Sequence, residues 1–308
     1  MKAFGLNEFL TPLTLDSFLQ SSWPNKPLFI PANDQKKLNM ILQISQLQSL
    51  EAVVAARTLK VRACLPDFDD EYSSIHLSPE DSLKAYNNNM TLVFDSMHLQ
   101  DDVIAQTLAN IRAELGLVTG GADNDLCKAR SIVYATPAGG GTRLHFDANV
   151  NFIIQLHGSK RWQLAENKSV INPTERFTAG SLEMSAALDK QCHAPLLDEL
   201  PTDCQDFLML PGCVLFVPRG YWHQTTTDED SMSLNFTFSQ PTWADIFTKS
   251  MQEHLLQSSE WRGLADGLES ADSKRRATAV AQFETLLKKL VHEIPRISAT
   301  QLLQQSSL

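Results

Sequence analysis

The 308-residue sequence contains no run of 18 or more consecutive apolar residues, so it carries no stretch fit for a membrane-spanning helix. It also lacks a cysteine framework. Cys64, Cys127, Cys192, Cys204 and Cys213 are odd in number, scattered, and form no CxxC pair. They read as incidental or buried thiols of a protein in a reducing cytoplasm. A basic excess is missing too: 26 Lys+Arg stand against 36 Asp+Glu, for a net charge of −10 and a pI near 5.3. That balance argues against nucleic acid as a partner, because such binding relies on a Lys/Arg surface. An acidic surface would instead tolerate or steer a basic partner. The clusters Asp67-Asp69-Asp70-Glu71 and Asp228-Glu229-Asp230 read as solvated loops. There is no internal repeat and no low-complexity segment. The first twenty residues lack an uninterrupted apolar core and are not expected to be a secretory signal. The triple glycine at Gly139-Gly140-Gly141 is followed by neither a helix start nor a Lys-Ser/Thr pair, which excludes a phosphate-binding loop.

What remains is ordinary globular composition, 43% hydrophobic and 20% charged. Residues 1–128 read as a mixed α/β cover. Helices are expected at 14–22, at 46–57 behind a Ser45/Gln48 capping box, from Ser78-Pro79 to about Tyr86, and at about 100–115. Short strands are expected at 27–31, 58–64 and 90–94. From 129 to 240 the pattern changes to short strands broken by Gly/Pro turns, which indicates a β-sandwich or barrel. Residues 167–206 read as an irregular insertion within it. Residues 241–308 form a helical segment, with helices at about 243–259 and 273–293. Apolar Phe283, Leu286, Leu287, Leu290 and Val291 at helical spacing are expected to pack on the barrel or on a second copy of the chain.

The informative stretch is GGGTRLHFDANVNFIIQLHGSKRWQL, residues 139–164. His145 and Asp147 are two apart, so on a strand they share a face. Continued alternation adds Asn149, Asn151 and Gln155 to that face and turns Phe152, Ile154 and Leu156 away. A Gly158-Ser159 hairpin turn would pair His157 with Lys160 and point Lys160 the same way. A buried His, Asp and Lys are costly unless something pairs them. A metal cation would satisfy the first two and a dianion the third. LPGCVLFVPRGYWHQT offers His223 as a third ligand, and two His with one carboxylate form the facial triad that leaves three positions open on Fe(II). Those positions suit a bidentate 2-oxo acid and dioxygen, with Lys160 on the far carboxylate.

These residues resemble the JmjC/cupin-like protein hydroxylases, both the asparaginyl hydroxylase that inhibits hypoxia-inducible factor and the ribosomal oxygenases. The resemblance covers about 129–240 and extends more faintly to FLQSSWPNKPLFIP near the N-terminus. It implies a mainly β fold with α cover, a double-stranded β-helix of the jelly-roll or cupin type. It matches the iron ligands to His145, Asp147 and His223. It matches the 2-oxoglutarate carboxylate site to Lys160, fifteen residues after the first His, and to Thr142, three before it. Asn151, and Asn235 in LNF, match two further pocket residues.

The implied activity is an Fe(II)- and 2-oxoglutarate-dependent dioxygenase that hydroxylates a C–H bond on a protein side chain, releasing succinate and CO2. Demethylation of an N-methyl-lysine is the same chemistry on another C–H bond. Two departures leave the substrate open: residues 167–206 match no member's substrate-contacting insertion, and the helical tail is short for the winged-helix domain that ends the ribosomal oxygenases. A metal-binding cupin scaffold without turnover, or a cupin isomerase, remains the alternative on the same core. A homodimer through the C-terminal helices is a further expectation.

Overall fold

Two antiparallel sheets organise the chain in the computed structural model, which describes residues 3–32, 35–65, 73–119, 127–181, 183–300 and 303. In chain order the strands are β1 (Leu28–Ile30), β2 (Val61–Cys64), β3 (Ser74–Leu77), β4 (Thr91–Phe94), β5 (Ala129–Thr136), β6 (Gly141–Phe146), β7 (Val150–His157), β8 (Lys160–Ala165), β9 (Phe177–Thr178), β10 (Gln205–Met209), β11 (Val214–Val217), β12 (Trp222–Thr226) and β13 (Ser231–Phe238). The larger sheet runs β1-β11-β7-β13-β5-β4-β2-β3 and the smaller β10-β8-β12-β6-β9. Strands β11-β7-β13-β5 and β10-β8-β12-β6 face each other as the double-stranded β-helix of a cupin, with the elements before residue 129 extending and covering the larger sheet.

Period-two alternation explains why the faces separate. On the outer face of the larger sheet, Phe152, Ile154 and Leu156 of β7 join Phe216, Leu234, Phe236 and Phe238 in one buried apolar cluster. Its other half comes from helices α1 (Leu6–Leu10), α2 (Leu15–Ser21), α3 (Lys36–Ile41), α4 (Leu50–Ala56), α5 (Pro79–Tyr86) and α6 (Asp102–Glu114), through residues such as Phe9, Phe18, Val53 and Ile111. Each such side chain contributes about 1.5–3 kcal/mol when fully buried. On the inner face, Ile153, Leu215 and Val217 meet Trp162, Leu164 and Met209 of the smaller sheet and plug one part of the barrel. The outer face of the smaller sheet is closed by the 167–206 insertion, whose Val170 and Leu188, the latter on α7 (Ala186–Asp189), cover Leu144, Phe146 and Trp222.

Several local expectations change. The Ser45/Gln48 box does not start a helix: Ser45–Leu47 is a single 3-10 turn, and α4 begins at Leu50 behind Ser49. Ser49 is the residue with extended backbone, and its side chain accepts from Ala52 N–H, the geometry a cap requires. Strand β12, strand β3 and helices α1 and α3 carry too weak a periodic signal at their length to be read from sequence. The Gly158-Ser159 turn is not a hairpin, because β7 pairs with β11 and β13 while β8 pairs with β10 and β12. The turn instead carries the chain from one sheet to the other. Gly158 has φ +58, and a Cβ there would run into the Asp230 carbonyl, so only glycine makes this crossing. The acidic cluster at 67–71 lies outside the described residues.

By internal contacts the chain divides into two units. One comprises Met1–Leu117 and Lys128–Ser239 and holds both sheets; the other comprises Val118–Cys127 and Gln240–Leu308. The second unit contains α8 (Trp243–Leu255), opened by a Thr242/Asp245 capping box, and the long α9 (Ser273–Glu293). Among the described residues no helix is long and apolar enough to cross a membrane. All five cysteines are free.

Candidate metal centre

His145 and His223 come together because β6 and β12 are neighbours in the smaller sheet and the two histidines are direct cross-strand partners. Their rings lie 4.0 Å apart between centroids. A register shift between His223 and Thr225 then brings Thr225 opposite Thr142. Such bulges re-aim side chains at sites of function. The strands approach closely there: a Cβ on Gly141 would collide with the Thr225 carbonyl. Asp147 lies one residue beyond the end of β6. Its carbonyl accepts from Gly220 N–H at 2.8 Å, which ties it to the loop leading into β12. The three candidate ligand atoms all fall within 4.8 Å of one another.

The electrostatics suit cation binding. His145 Nδ1 lies 2.7 Å from the Arg143 carbonyl and His223 Nδ1 lies 2.9 Å from the Tyr221 carbonyl. A carbonyl can only accept, so both rings carry their proton on Nδ1 and turn the Nε2 lone pair inward. Nε2 of His145 is 3.9 Å, and Nε2 of His223 3.8 Å, from the same oxygen of Asp147, Oδ2. Burial, reinforced by the Arg176 charge, lowers His145 to about 4. Burial and the neighbouring His145 lower His223 to about 3. Both are therefore neutral at physiological pH, the form that ligates metal. Burial alone would raise Asp147. The two imidazoles, Arg176 and a hydrogen bond from Asn151 outweigh it and keep the carboxyl below its ordinary range. Asn151 is itself oriented by Thr237, whose hydroxyl donates to its Oδ1 at 2.7 Å.

Farther into the same pocket, Lys160 is only 4% exposed. Its ammonium donates to the Thr136 hydroxyl at 2.8 Å and has no acidic partner among the described residues. Burial lowers its pKa to about 8. Thr142 and Thr225, which line the same pocket, share a hydroxyl contact of 2.9 Å, and Ser233 Oγ donates to Asn235 Oδ1 at 3.2 Å on the opposite sheet. Trp162 stacks on His223 with an interplanar angle of 19°, and its buried indole N–H has no hydrogen-bond partner among the described residues.

Every candidate from the sequence, namely Thr142, His145, Asp147, Asn151, Lys160, His223 and Asn235, lines this one pocket, as does Tyr134. Two expectations fail in detail. The alternation does not run unbroken from His145 to Gln155, because the chain leaves the smaller sheet after Phe146 and re-enters the larger one at Val150. Asn149 accepts from Ser239 Oγ instead of lining the pocket, and Gln155 is spent on Ser231 and the carbonyls of His157 and Gly158. Lys160 points inward by the alternation of β8 itself, not through a hairpin. The sequence reading missed Thr225 and Ser233, each two residues from an identified member on the same strand, where period two would have found them; Trp162, read as core or pocket wall, lines the pocket. It also missed Arg176, which sits in the irregular insertion and has no such signal.

The residues fit a divalent metal with an anionic co-substrate. Two neutral imidazoles and one carboxylate form the donor set of a non-haem Fe(II) facial triad. Among the described residues, the buried ammonium meets a neutral hydroxyl and no acid, and the indole N–H meets no acceptor, so both are donors awaiting one.

Comparison with known proteins agrees. Residues 122–246 match the JmjC domain. The Bacillus subtilis (strain 168) protein YxbC is 28% identical over 306 residues, covering 97% of this chain and 90% of its own. Ribosomal oxygenase 2 of Rattus norvegicus is 25% identical over 258 residues, covering 79% of this chain, which spans about half (49%) of that protein. The structure of YcfD, a ribosomal oxygenase from Escherichia coli in complex with cobalt and 2-oxoglutarate, superposes with a TM-score of 0.51 at 16% identity over 89% of this chain and 67% of that one. With its two-sheet barrel and inward His-Asp-His cluster, the segment 122–246 is similar to the JmjC domain, and the chain around it resembles ribosomal oxygenase 2 in sequence and YcfD in fold.

Proposed function

We propose that the protein is an Fe(II)- and 2-oxoglutarate-dependent oxygenase that hydroxylates a C–H bond on a protein side chain, with dioxygen as oxidant and succinate and CO2 as co-products. One observation carries this reading: the His145–Asp147–His223 cluster and the buried, acid-free Lys160 open into the same pocket. Bound iron with 2-oxoglutarate supplies the oxidising chemistry, and the protein's part is to hold and orient. His145 and His223 present neutral Nε2 atoms fixed by the carbonyls behind them. Lys160 receives the distal carboxylate of the keto-diacid, a role supported by its buried ammonium and by the Thr142–Thr225 hydroxyl pair lining the same pocket. Asn151 orients Asp147, and Asn235 lines the wall opposite.

A protein or peptide substrate is supported by the relatives named as ribosomal oxygenases, and the cytoplasm by five free thiols. A homodimer through the tail is supported by α9, where Val280, Phe283, Leu287 and Val291 recur at helical spacing and are 41–64% exposed in the single chain. Light scattering of the intact chain against a variant with Phe283 and Leu287 changed to Glu tests the pairing; an unchanged mass removes it.

The oxygenase reading is tested by succinate formation from 2-oxoglutarate with added Fe(II), and by N-oxalylglycine binding to the Mn(II)-loaded protein. Turnover, or tight binding lost in Lys160→Met, is expected. Fully metallated protein that neither binds the keto-diacid nor forms succinate would leave only a metal-binding scaffold, and turnover without dioxygen consumption would make it an isomerase. Formaldehyde release from a methyl-lysine peptide would mark demethylation instead of stable hydroxylation.

A further inference from the structure

Asp147 has two carboxylate oxygens, and the structure divides them. Oδ2 faces both imidazoles, at 3.9 Å from His145 and 3.8 Å from His223. Oδ1 faces Nη1 of Arg176 at 3.4 Å. This division is built into the sheet. Strand β9 pairs antiparallel with β6 so that Phe177 lies opposite Phe146 and Thr178 opposite His145. One further step in that register places Arg176 opposite Asp147. The insertion thus does more than cover the outside of the smaller sheet: its two-residue strand delivers a guanidinium to the open side of a candidate ligand. The pair is shielded, with side chains 22% and 19% exposed. Arginine stays charged at every accessible pH.

We infer that Arg176 is a positioning residue that keeps Asp147 a one-oxygen ligand. A carboxylate with both oxygens free can chelate a cation, taking two coordination positions instead of one. In a six-coordinate ion held by His145, His223 and chelating Asp147, two positions would remain. The reading proposed above, on which this inference rests, needs three, two for the keto acid and one for dioxygen. With Oδ1 engaged by Arg176, Oδ2 alone is offered, and the count stays at three. The guanidinium also repels the cation beside it, so its presence lowers metal affinity in return for coordination space.

This makes the expected effect of removal opposite in sign for the two ligands. In Arg176→Gln, Mn(II) is bound as tightly as in the parent or more tightly, while N-oxalylglycine binds the Mn(II)-loaded protein about tenfold more weakly, the lower end of the 10–100-fold cost usual for partners that orient ligands. Water-proton relaxation of the Mn(II) protein reads the geometry directly: three exchangeable waters in the parent and in Arg176→Lys, two in Arg176→Gln. Arg176→Met, which keeps the aliphatic stem against the insertion, serves as a second variant should the Gln protein not fold. Parental water counts and parental N-oxalylglycine affinity in either neutral variant overturn the inference while leaving the metal centre intact. Weaker Mn(II) binding in these variants overturns it too, since that outcome makes Arg176 a general support of the site. A parent protein that takes up no Mn(II) overturns the metal-centre reading itself, and this inference with it.

Discussion

On one side of β7, Phe152, Ile154 and Leu156 are sunk in the apolar cluster between the larger sheet and the N-terminal helices. On the other side, Ile153 joins the apolar plug of the barrel and Asn151 enters the pocket, where polar groups from both sheets gather around the candidate triad. The same eight residues therefore serve stability on one face and chemistry on the other. Side chains on the outer face find uniform apolar neighbours and need nothing else. Those inside hold a neutral imidazole pair and an ammonium without an acidic partner, an arrangement that a folded apo protein gains little from. The difference teaches that stability and ligand binding should separate cleanly by face in this molecule.

The sharpest way to sharpen that contrast is Phe152→Ala. Phe152 packs on Phe216 at 4.9 Å and on Phe18 at 5.9 Å between ring centroids. Its truncation should cost about 3–5 kcal/mol in urea unfolding, while the remaining folded protein takes up Mn(II) with parental affinity. Next comes Asp147→Ala, expected to weaken Mn(II) binding by more than about 100-fold, beyond the range for residues that only orient ligands, with little change in melting temperature. If that variant bound Mn(II) within tenfold of the parent, the division of labour between faces would fail at its centre.

Lys160→Met should weaken N-oxalylglycine by roughly 10- to 150-fold, the equivalent of the 1.5–3 kcal/mol of a charge-assisted hydrogen bond. Stability should hold or rise, because a buried ammonium with one neutral partner is removed. The smallest effect is one of pH. Burial lowers Lys160 to about 8, and only the ammonium can hold a carboxylate. Affinity for N-oxalylglycine is therefore fully present below that value and is lost as pH rises through it, approaching tenfold per unit at higher pH. The Lys160→Met protein should show no such step in isothermal titration across pH 7–9.

Much of the site was legible because its members sit on strands. His145, Lys160, His223 and Asn235 are held by local alternation, and alternation survives even where the pairing assumed for it is wrong. The expected hairpin at Gly158-Ser159 shows this: β7 and β8 lie in different sheets, yet Lys160 points inward because β8 obeys period two in its own right. The Ser45 cap failed for the opposite reason. Ser45 and Ser49 are both plausible caps in isolation, and only the extended backbone at Ser49, set by how α4 packs, decides between them.

By itself, the sequence determined the β-rich core, the helical cover and tail, and the set of candidate residues for a metal and an acid, since these follow from periodicity and side-chain chemistry within a few residues. Tertiary structure alone decided which strands share a sheet, the His145–His223 pairing, the fixing of each imidazole by a carbonyl behind it, and the meeting of Arg176 with Asp147 across 29 residues of chain. Those depend on sheet register between distant segments, a property of pairing energies summed over the whole fold that no local pattern encodes.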